Sequence, residues 1–456
     1  MNQTLKNSVR AARENNPWNG MSMDCRILAA GELRDNNTRR TGLNNNDLII
    51  GPSGSGKTRY YMLPNFLQCS ESVVVTDTKG NLQHIVGPDL KARGYRVLSI
   101  DFADLSSSAP GACGYNPLDY IRFNEKTGRW SEQDIQTIAA ALVPIESRTD
   151  LFWDQSAQMY IACMIAYTME CLPPEERHLG SVVQLFRWMD YDRSKPHASF
   201  ETDSKFGRLL TELGEQDPDS CAWRMYCSFK GNATAEKMHE SIRGILSAKL
   251  NPLVFDGAMG LYTDKNRVHF PDLGREKTAL FLTVSDADRS QDRLINLFYM
   301  QAFQSLIYSA DRDYPDCRLP VPVRFMLDDF ATGTVIPDFD NLTSVIRSRE
   351  ISVSIIIQSL TQLEALYGEA KATTIVNNCD NCLYLGGQDT NTARKLADKI
   401  GRTANSILTM PLDSAYLFTR GQPAKLVSKY DLSSHPRYHV LPEAAKENTA
   451  ARCAGF

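Results

Sequence analysis

The sequence predicts an α/β fold: a central, mainly parallel sheet with an all-helical domain inserted into it. Three observations carry that expectation. The stretch Gly51-Pro52-Ser53-Gly54-Ser55-Gly56-Lys57-Thr58 lies between the apolar run Leu48-Ile49-Ile50 and a segment, Arg59 to Pro64, that can continue as a helix. That is the strand, loop and helix context in which G-x-x-x-x-G-K-[ST] means a phosphate-binding P-loop. Apolar runs then alternate with helical stretches, as βαβ units do. Between them, residues from about 130 to 250 show helical period and little strand.

In chain order, residues 1–40 are polar and rich in Asn and Arg, and read as a weakly structured arm. Asp47 to Gly51 is the first strand, followed by the P-loop and its helix. Ser72 to Asp77 is a β-rich run ending in an acid. A helix to about Arg93 is closed by Gly94, and Tyr95 to Asp101 reads as a third strand. The helical insert follows. In it Phe152, Ser156, Met159, Tyr160, Cys163 and Tyr167 share one helical face, while Pro173-Pro174 and Asp217-Pro218 break helices. Strand character returns at Thr278–Val284, Val321–Phe330, Ile351–Gln358, Cys382–Gly387 and Lys425–Ser428, with a helix from about Asp292 to Ala310. The expected boundaries are 1–40 for the arm, 41–125 with 255–440 for the nucleotide-binding domain, 126–254 for the insert and 441–456 for a tail.

With 456 residues, 42% hydrophobic and 23% charged, the composition is that of an ordinary globular chain large enough for two domains. A net charge of −4 leaves no global attraction for nucleic acid, so any such contact needs a local patch or an oligomeric channel. No signal peptide is evident. The run Met159–Met169 between Asp154 and Glu170 falls short of the ~20 apolar residues of a spanning helix, and reads as a buried helix. Eleven cysteines without a secretion signal point to reduced thiols in the cytoplasm. Cys379 and Cys382 have metal or redox spacing but no second pair, so they read as small residues at a strand start.

In the P-loop, the glycines allow successive N–H groups to turn inward on an anion, and the helix beginning near Lys57 adds its positive end. Lys57 is placed to reach the β- and γ-phosphates of ATP, and Thr58 to offer its hydroxyl to Mg²⁺. An apolar strand ending in an acid is the usual second holder of the ion, and Phe325-Met326-Leu327-Asp328 fits. Asp329 is the candidate for orienting or deprotonating water. Gln358, at the end of another buried strand, is a candidate γ-phosphate sensor. Arg347 and Arg349 lie between the two, and a guanidinium from a neighbouring subunit neutralises charge developing in phosphoryl transfer. An exposed helix-end arginine is the plainer alternative.

Several of these stretches together resemble the TraG/TraD family, the coupling ATPases of conjugative type IV secretion, related to the FtsK and HerA translocases. They are the P-loop helix with Pro64-Asn65, Thr76-Asp77-Thr78-Lys79-Gly80, Tyr115-Asn116-Pro117-Leu118, Leu327-Asp328-Asp329-Phe330-Ala331, Ile346-Arg347-Ser348-Arg349, Ile357-Gln358-Ser359 and Leu385-Gly386-Gly387. The resemblance runs from about Asn44 to His435. It implies a RecA-like P-loop NTPase domain with an all-helical insert, and a homo-hexameric ring with ATP between subunits. It also implies delivery of a relaxase-bound single DNA strand to a type IV secretion channel. By position it puts Lys57 and Thr58 on nucleotide, Asp328 on Mg²⁺, Gln358 as sensor and Arg347 as a finger in trans.

There are two departures. The family's second acid is typically Glu, and Asp329 is shorter by about 1.5 Å, enough to blunt catalysis where water positioning is strict. The family also usually begins with membrane-spanning helices. The expectation is either a soluble member recruited to the inner face of the membrane by a separate membrane protein, or a shortened chain. A nucleotide-gated docking scaffold with slow hydrolysis is the alternative from another class. A chromosomal translocase of the FtsK/HerA kind is a third.

Overall fold

The computed structural model describes residues 24–444 other than 107–109, 146–150, 193, 195–196, 235, 286 and 331–334, with no side chains described for 232–236. The C-terminal tail beyond 444, the first 23 residues of the arm and Ala331 lie outside the described residues. The chain divides into two compact units: residues 1–97, 271–282 and 309–456 form the first, residues 98–270 and 283–308 the second.

The first unit is built on strands that are mainly apolar at the centre of the sheet and polar at its margins. β1 (Cys25–Ala29) and β2 (Glu32–Asp35) form an antiparallel pair. β3 (Asp47–Ile50) and β4 (Ser72–Asp77) follow; β5 (Arg96–Asp101) belongs to the second unit from Leu98 on, and so does a two-residue pair, β6 (Phe123–Asn124) and β7 (Arg129–Trp130). β8 (Thr278–Thr283), β9 (Val323–Leu327), β10 (Ile351–Ile357), β11 (Asn381–Tyr384), β12 (Ser414–Thr419) and β13 (Lys425–Ser428) complete the set. The main sheet has nine strands in the order β13-β12-β11-β3-β10-β9-β4-β8-β5. β11, β3, β10, β9 and β4 run parallel, while β12 pairs antiparallel with β11 and β13 pairs antiparallel with β12. Central parallel strands are covered on both faces, which is why β3, β9 and β10 are buried at every residue and read as continuous apolar runs. The RecA-like α/β expectation is met.

Residues 25–41 depart from the weakly structured arm expected there: they form β1, β2 and a short helix, Thr38–Thr41. The polar composition misled because its polar groups are satisfied internally. Arg26 is 3% exposed and donates to Asp47 at 2.7 Å and to Asn45 at 2.8 Å. Asp47 also accepts from the Tyr61 hydroxyl at 2.8 Å and from Asn381 at 3.0 Å, and Arg324 lies 3.7 Å away and pairs with Glu71. Arg26 and Arg324 hold the Asp47 carboxyl below its ordinary range against the opposing effect of burial.

The second unit is mainly helical. Its central helix, Phe152–Cys171, contains the apolar run read from sequence and is buried continuously from Tyr160 to Met169. The expected single apolar face is therefore too narrow; a helix apolar all round is enclosed on every side. Tyr160 stacks on Phe229 of the helix Cys221–Thr234 with centroids 4.2 Å apart. Among the described residues, no helix is long and apolar enough to cross a membrane.

Candidate functional site

The P-loop leaves the carboxyl end of β3. Gly54 and Gly56 have φ of 79° and 88°, which side-chain-bearing residues rarely adopt. A Cβ on Gly56 would lie 2.3 Å from the Tyr60 ring, and one on Gly51 2.4 Å from the Ser55 hydroxyl. The loop is thus a cradle that its own packing would fill if the glycines were replaced. Pro52, Ser53 and Ser55 complete the turn, with Ser55 N donating to the Pro52 carbonyl at 3.1 Å. The helix then opens with a π turn, Thr58–Met62, in which Leu63 N donates to the Thr58 carbonyl, before continuing as α-helix Leu63–Gln68.

Parallel strands put their carboxyl ends on one edge, and this assembles the expected residues. β10 lies between β3 and β9, pairing Ile357 with Ile50 and Ile355 with Leu327. Gln358 therefore emerges beside the P-loop, and Asp328 and Asp329 emerge one strand further on. Lys57, 8% exposed, donates to the Gly51 carbonyl at 2.9 Å and faces Asp329 at 3.6 Å. Burial pushes the Asp328 carboxyl up to about 6, the neighbouring Asp329 adds to the rise and Lys57 opposes it. Asp329 sits at φ 46°, a left-handed conformation that Asp tolerates better than most residues, and its N–H donates to Asp328 at 3.1 Å. Phe330 next packs on Phe339 and Tyr367, with centroids 4.8 and 5.8 Å away, fixing the chain just beyond the two acids.

Arg347 is not brought to this cluster within one chain. It lies in the short helix Ile346–Arg349 that precedes β10, so the seven residues of that strand separate it from Gln358. At ~3.3 Å per residue this is about 23 Å. Its guanidinium donates to the Thr38 carbonyl at 3.1 Å, while Arg349 pairs with Asp311 at 2.8 Å.

Other motif residues prove structural. Asn65 hydrogen-bonds both backbone groups of Ile27, at 2.9 and 2.8 Å, acting as a peptide surrogate that fastens β1 to the P-loop helix. Asp77 accepts from the N–H of Leu82 and of Lys79, capping the following helix. Asn116 donates to Asp119 and to the Arg177 carbonyl. Gly387, in the exit from β11, lies beside Pro52 of the P-loop, where a Cβ would make an ordinary contact at 3.5 Å. On the helical unit, Lys230 pairs with Glu201 and Arg243 with Asp190 and Glu240. Among the described residues no cluster of His, Cys, Asp and Glu fits a metal, and Cys382 is a buried β11 residue.

One residue at the site was missed. Lys429, just past β13, donates to the Ser55 carbonyl at 3.2 Å and stands 5.3 Å from the centroid of the Tyr60 ring. A lone lysine in Lys425-Leu426-Val427-Ser428-Lys429 looks like solvated edge-strand charge, and no local signal ties it to the P-loop.

A parallel sheet with a glycine cradle at one strand end and acids at the end of the next strand but one defines a P-loop NTPase domain of RecA-like architecture. The chain also matches the family described as Type IV secretory system Conjugative DNA transfer over residues 3–429, and it belongs to that family. It is 24% identical over 355 residues to Protein VirD4 of Rhizobium radiobacter, covering 78% of this chain and 48% of that protein. It is 23% identical over 335 residues to the conjugal transfer protein TraG of Rhizobium radiobacter, covering 72% of this chain and 47% of that one. The chain thus spans about half the length of the curated relatives it matches. The fold is that of the conjugative coupling protein TrwBdeltaN70 in complex with sulphate, with a TM-score of 0.64 at 17% identity over 93% of this chain and 92% of that one. TrwB in complex with ADP and Mg²⁺ superposes with a TM-score of 0.63 at 17% identity, covering 92% of each chain.

Proposed function

We infer that this chain is the ATP-hydrolysing part of a conjugative coupling protein. In this reading it works as a homo-hexamer that recruits a relaxase-bound single DNA strand and drives it to a type IV secretion channel at the inner face of the membrane. The observation that carries the reading is the meeting of Lys57, Thr58, Asp328, Asp329 and Gln358 at the carboxyl ends of three neighbouring parallel strands. The glycine cradle fits a phosphate chain, and the nucleotide-bound TrwB structures give the same fold a precedent for ATP analogues and for ADP with Mg²⁺. Thr58 and Asp328 would hold Mg²⁺, which would supply the positive charge that phosphoryl transfer needs. Lys57 leaves the Gly51 carbonyl and Asp329 to take phosphate oxygens. Asp329, released from Lys57, orients the attacking water and accepts its proton, and Gln358 reports on the γ-phosphate. Arg347 serves the site of a neighbouring subunit.

Steady-state ATP hydrolysis by the purified chain, with and without single-stranded DNA, tests this beside Lys57→Ala, Asp328→Asn and Asp329→Asn. DNA-stimulated turnover that each variant reduces at least about 100-fold supports the motor; equal turnover in all four proteins ends it. The scaffold reading is kept alive by Asp329, which is one methylene short and occupied with Lys57. Nucleotide binding without turnover, restored to turnover by Asp329→Glu, would decide for it. Membership of the conjugative family supports this reading over a chromosomal translocase.

A further inference from the structure

We propose that Lys429 is a positioning residue of the nucleotide site, holding one P-loop peptide group in its anion-binding orientation from the outside of the loop. The inference rests on the nucleotide-binding reading above and concerns a residue outside the P-loop motif and the strand-end acids.

A P-loop binds phosphate by pointing N–H groups inward, and each inward N–H sends the carbonyl of the same peptide outward, because the peptide is planar and trans. Fixing one end of the group therefore fixes the other. The Ser55–Gly56 peptide is one that can turn over. Such a flip needs rotation about Ser55 ψ and Gly56 φ, and Gly56, at φ 88°, is the residue that permits it. Among the described residues no backbone acceptor takes the Gly56 N–H. The Ser55 carbonyl, on the outer side, accepts from the Lys429 ammonium at 3.2 Å.

Lys429 is itself well anchored. Its N–H donates to the Asp413 carbonyl at 2.9 Å, one residue past the Ser414–Ser428 pairing of β12 and β13. The ammonium also stands over the Tyr60 ring, at 5.3 Å from the centroid. That same ring lies against Gly56, where a Cβ would come within 2.3 Å of it. The peptide is thus held at its carbonyl by Lys429 and at its α-carbon by Tyr60. The chain closes this arrangement from opposite ends: the loop follows β3, and the clamp follows β13.

The test is the affinity for Mg·ADP, by titration calorimetry on the full chain, of the parent, Lys429→Met, Lys429→Arg and the control Lys425→Met. Lys425 sits on the same hairpin and pairs with Glu32 instead, at 2.8 Å. Losing one charged hydrogen bond in the loop is expected to raise Kd about tenfold in Lys429→Met. Lys429→Arg, which keeps charge and donors, should stay within about threefold, and Lys425→Met should match the parent. In hydrolysis, KM for ATP rises more than kcat falls, and the nucleotide-free unfolding midpoint of Lys429→Met stays at the parent's. A Lys429→Met Kd within twofold of a tight-binding parent overturns the clamp and leaves the nucleotide reading intact. A parent whose binding is absent, or indifferent to Lys57→Ala, overturns both.

Discussion

At Asp328 the ordinary carboxyl value of 3.8 is pushed up to about 6, by burial first and by Asp329 second. The folded chain therefore holds that proton more tightly than the unfolded chain does. Stability falls as pH rises between those two values and stays lower above them. Asp328→Asn removes this loss: without nucleotide at pH 7.5 it should be more stable to urea by on the order of 2 kcal/mol, although it cannot hold the ion and its hydrolysis collapses. Equal urea midpoints for variant and parent would show that the carboxyl is not destabilising there. Asp329→Asn is the complementary change. Asn is as much at home as Asp at a positive φ, so the fold should be kept while the charge beside Asp328 is removed. The fall in stability with pH should then shift toward lower pH, read from unfolding midpoints across pH 4 to 7. The two acids were legible in the sequence as the end of an apolar strand. The left-handed turn at Asp329 and the raised Asp328 carboxyl were not, because the first is a local backbone choice and the second is set by burial in the folded chain, by Asp329 and by the Lys57 that the P-loop brings to 3.6 Å from Asp329.

Elements were readable where burial on both faces wrote a continuous apolar run, as in β3, β4, β8, β9 and β10, and these position Lys57, Asp328, Asp329 and Gln358. What escaped was held by contacts between distant segments. β1 is a short apolar stretch broken by Arg26, which is there to meet Asp47 and sits in a polar neighbourhood of sequence, and β12 is an antiparallel addition to a parallel sheet whose place depends on β11. Arg347 was expected to serve a neighbouring subunit's nucleotide, and its place fits no nucleotide of its own chain, because in a parallel sheet the segment entering a strand lies at the opposite edge from the one leaving it. The buried ionic group under the P-loop helix gives an element-scale prediction. Arg26→Met leaves Asp47 with one arginine fewer inside the protein, and should cost about 3–5 kcal/mol in urea unfolding. Asn65→Leu, which fills the space but removes the bonds to Ile27, should cost about 2 kcal/mol. It should also speed amide exchange in residues 25–29 well before exchange rises in β9 or β10. Uniform exchange across all these strands would mean that β1 is not fastened through Asn65.

At the scale of the whole molecule, the separation of Arg347 from the P-loop makes assembly testable. Arg347 stands before β10 and the phosphate loop stands level with its far end, so one chain cannot bring both to one nucleotide without remodelling the sheet between them. If the proposed ring forms by head-to-tail contacts, each nucleotide has the P-loop of one subunit and Arg347 of the next. Two inactive variants should then repair one another. Arg347→Ala keeps an intact P-loop but offers its neighbour no guanidinium. Lys57→Ala loses its own phosphate site but still presents Arg347. In a random equal mixture, half of the subunits carry a working P-loop and half of those face a Lys57→Ala neighbour. Turnover per total protomer should therefore reach about a quarter of the parent's if sites act independently, and turnover should rise more steeply than linearly with protein concentration at the dilute end. Each variant alone should stay near baseline at every concentration. A mixture no more active than the average of its parts, in a parent that hydrolyses ATP, would remove Arg347 from the reaction and leave its bond to the Thr38 carbonyl as its role.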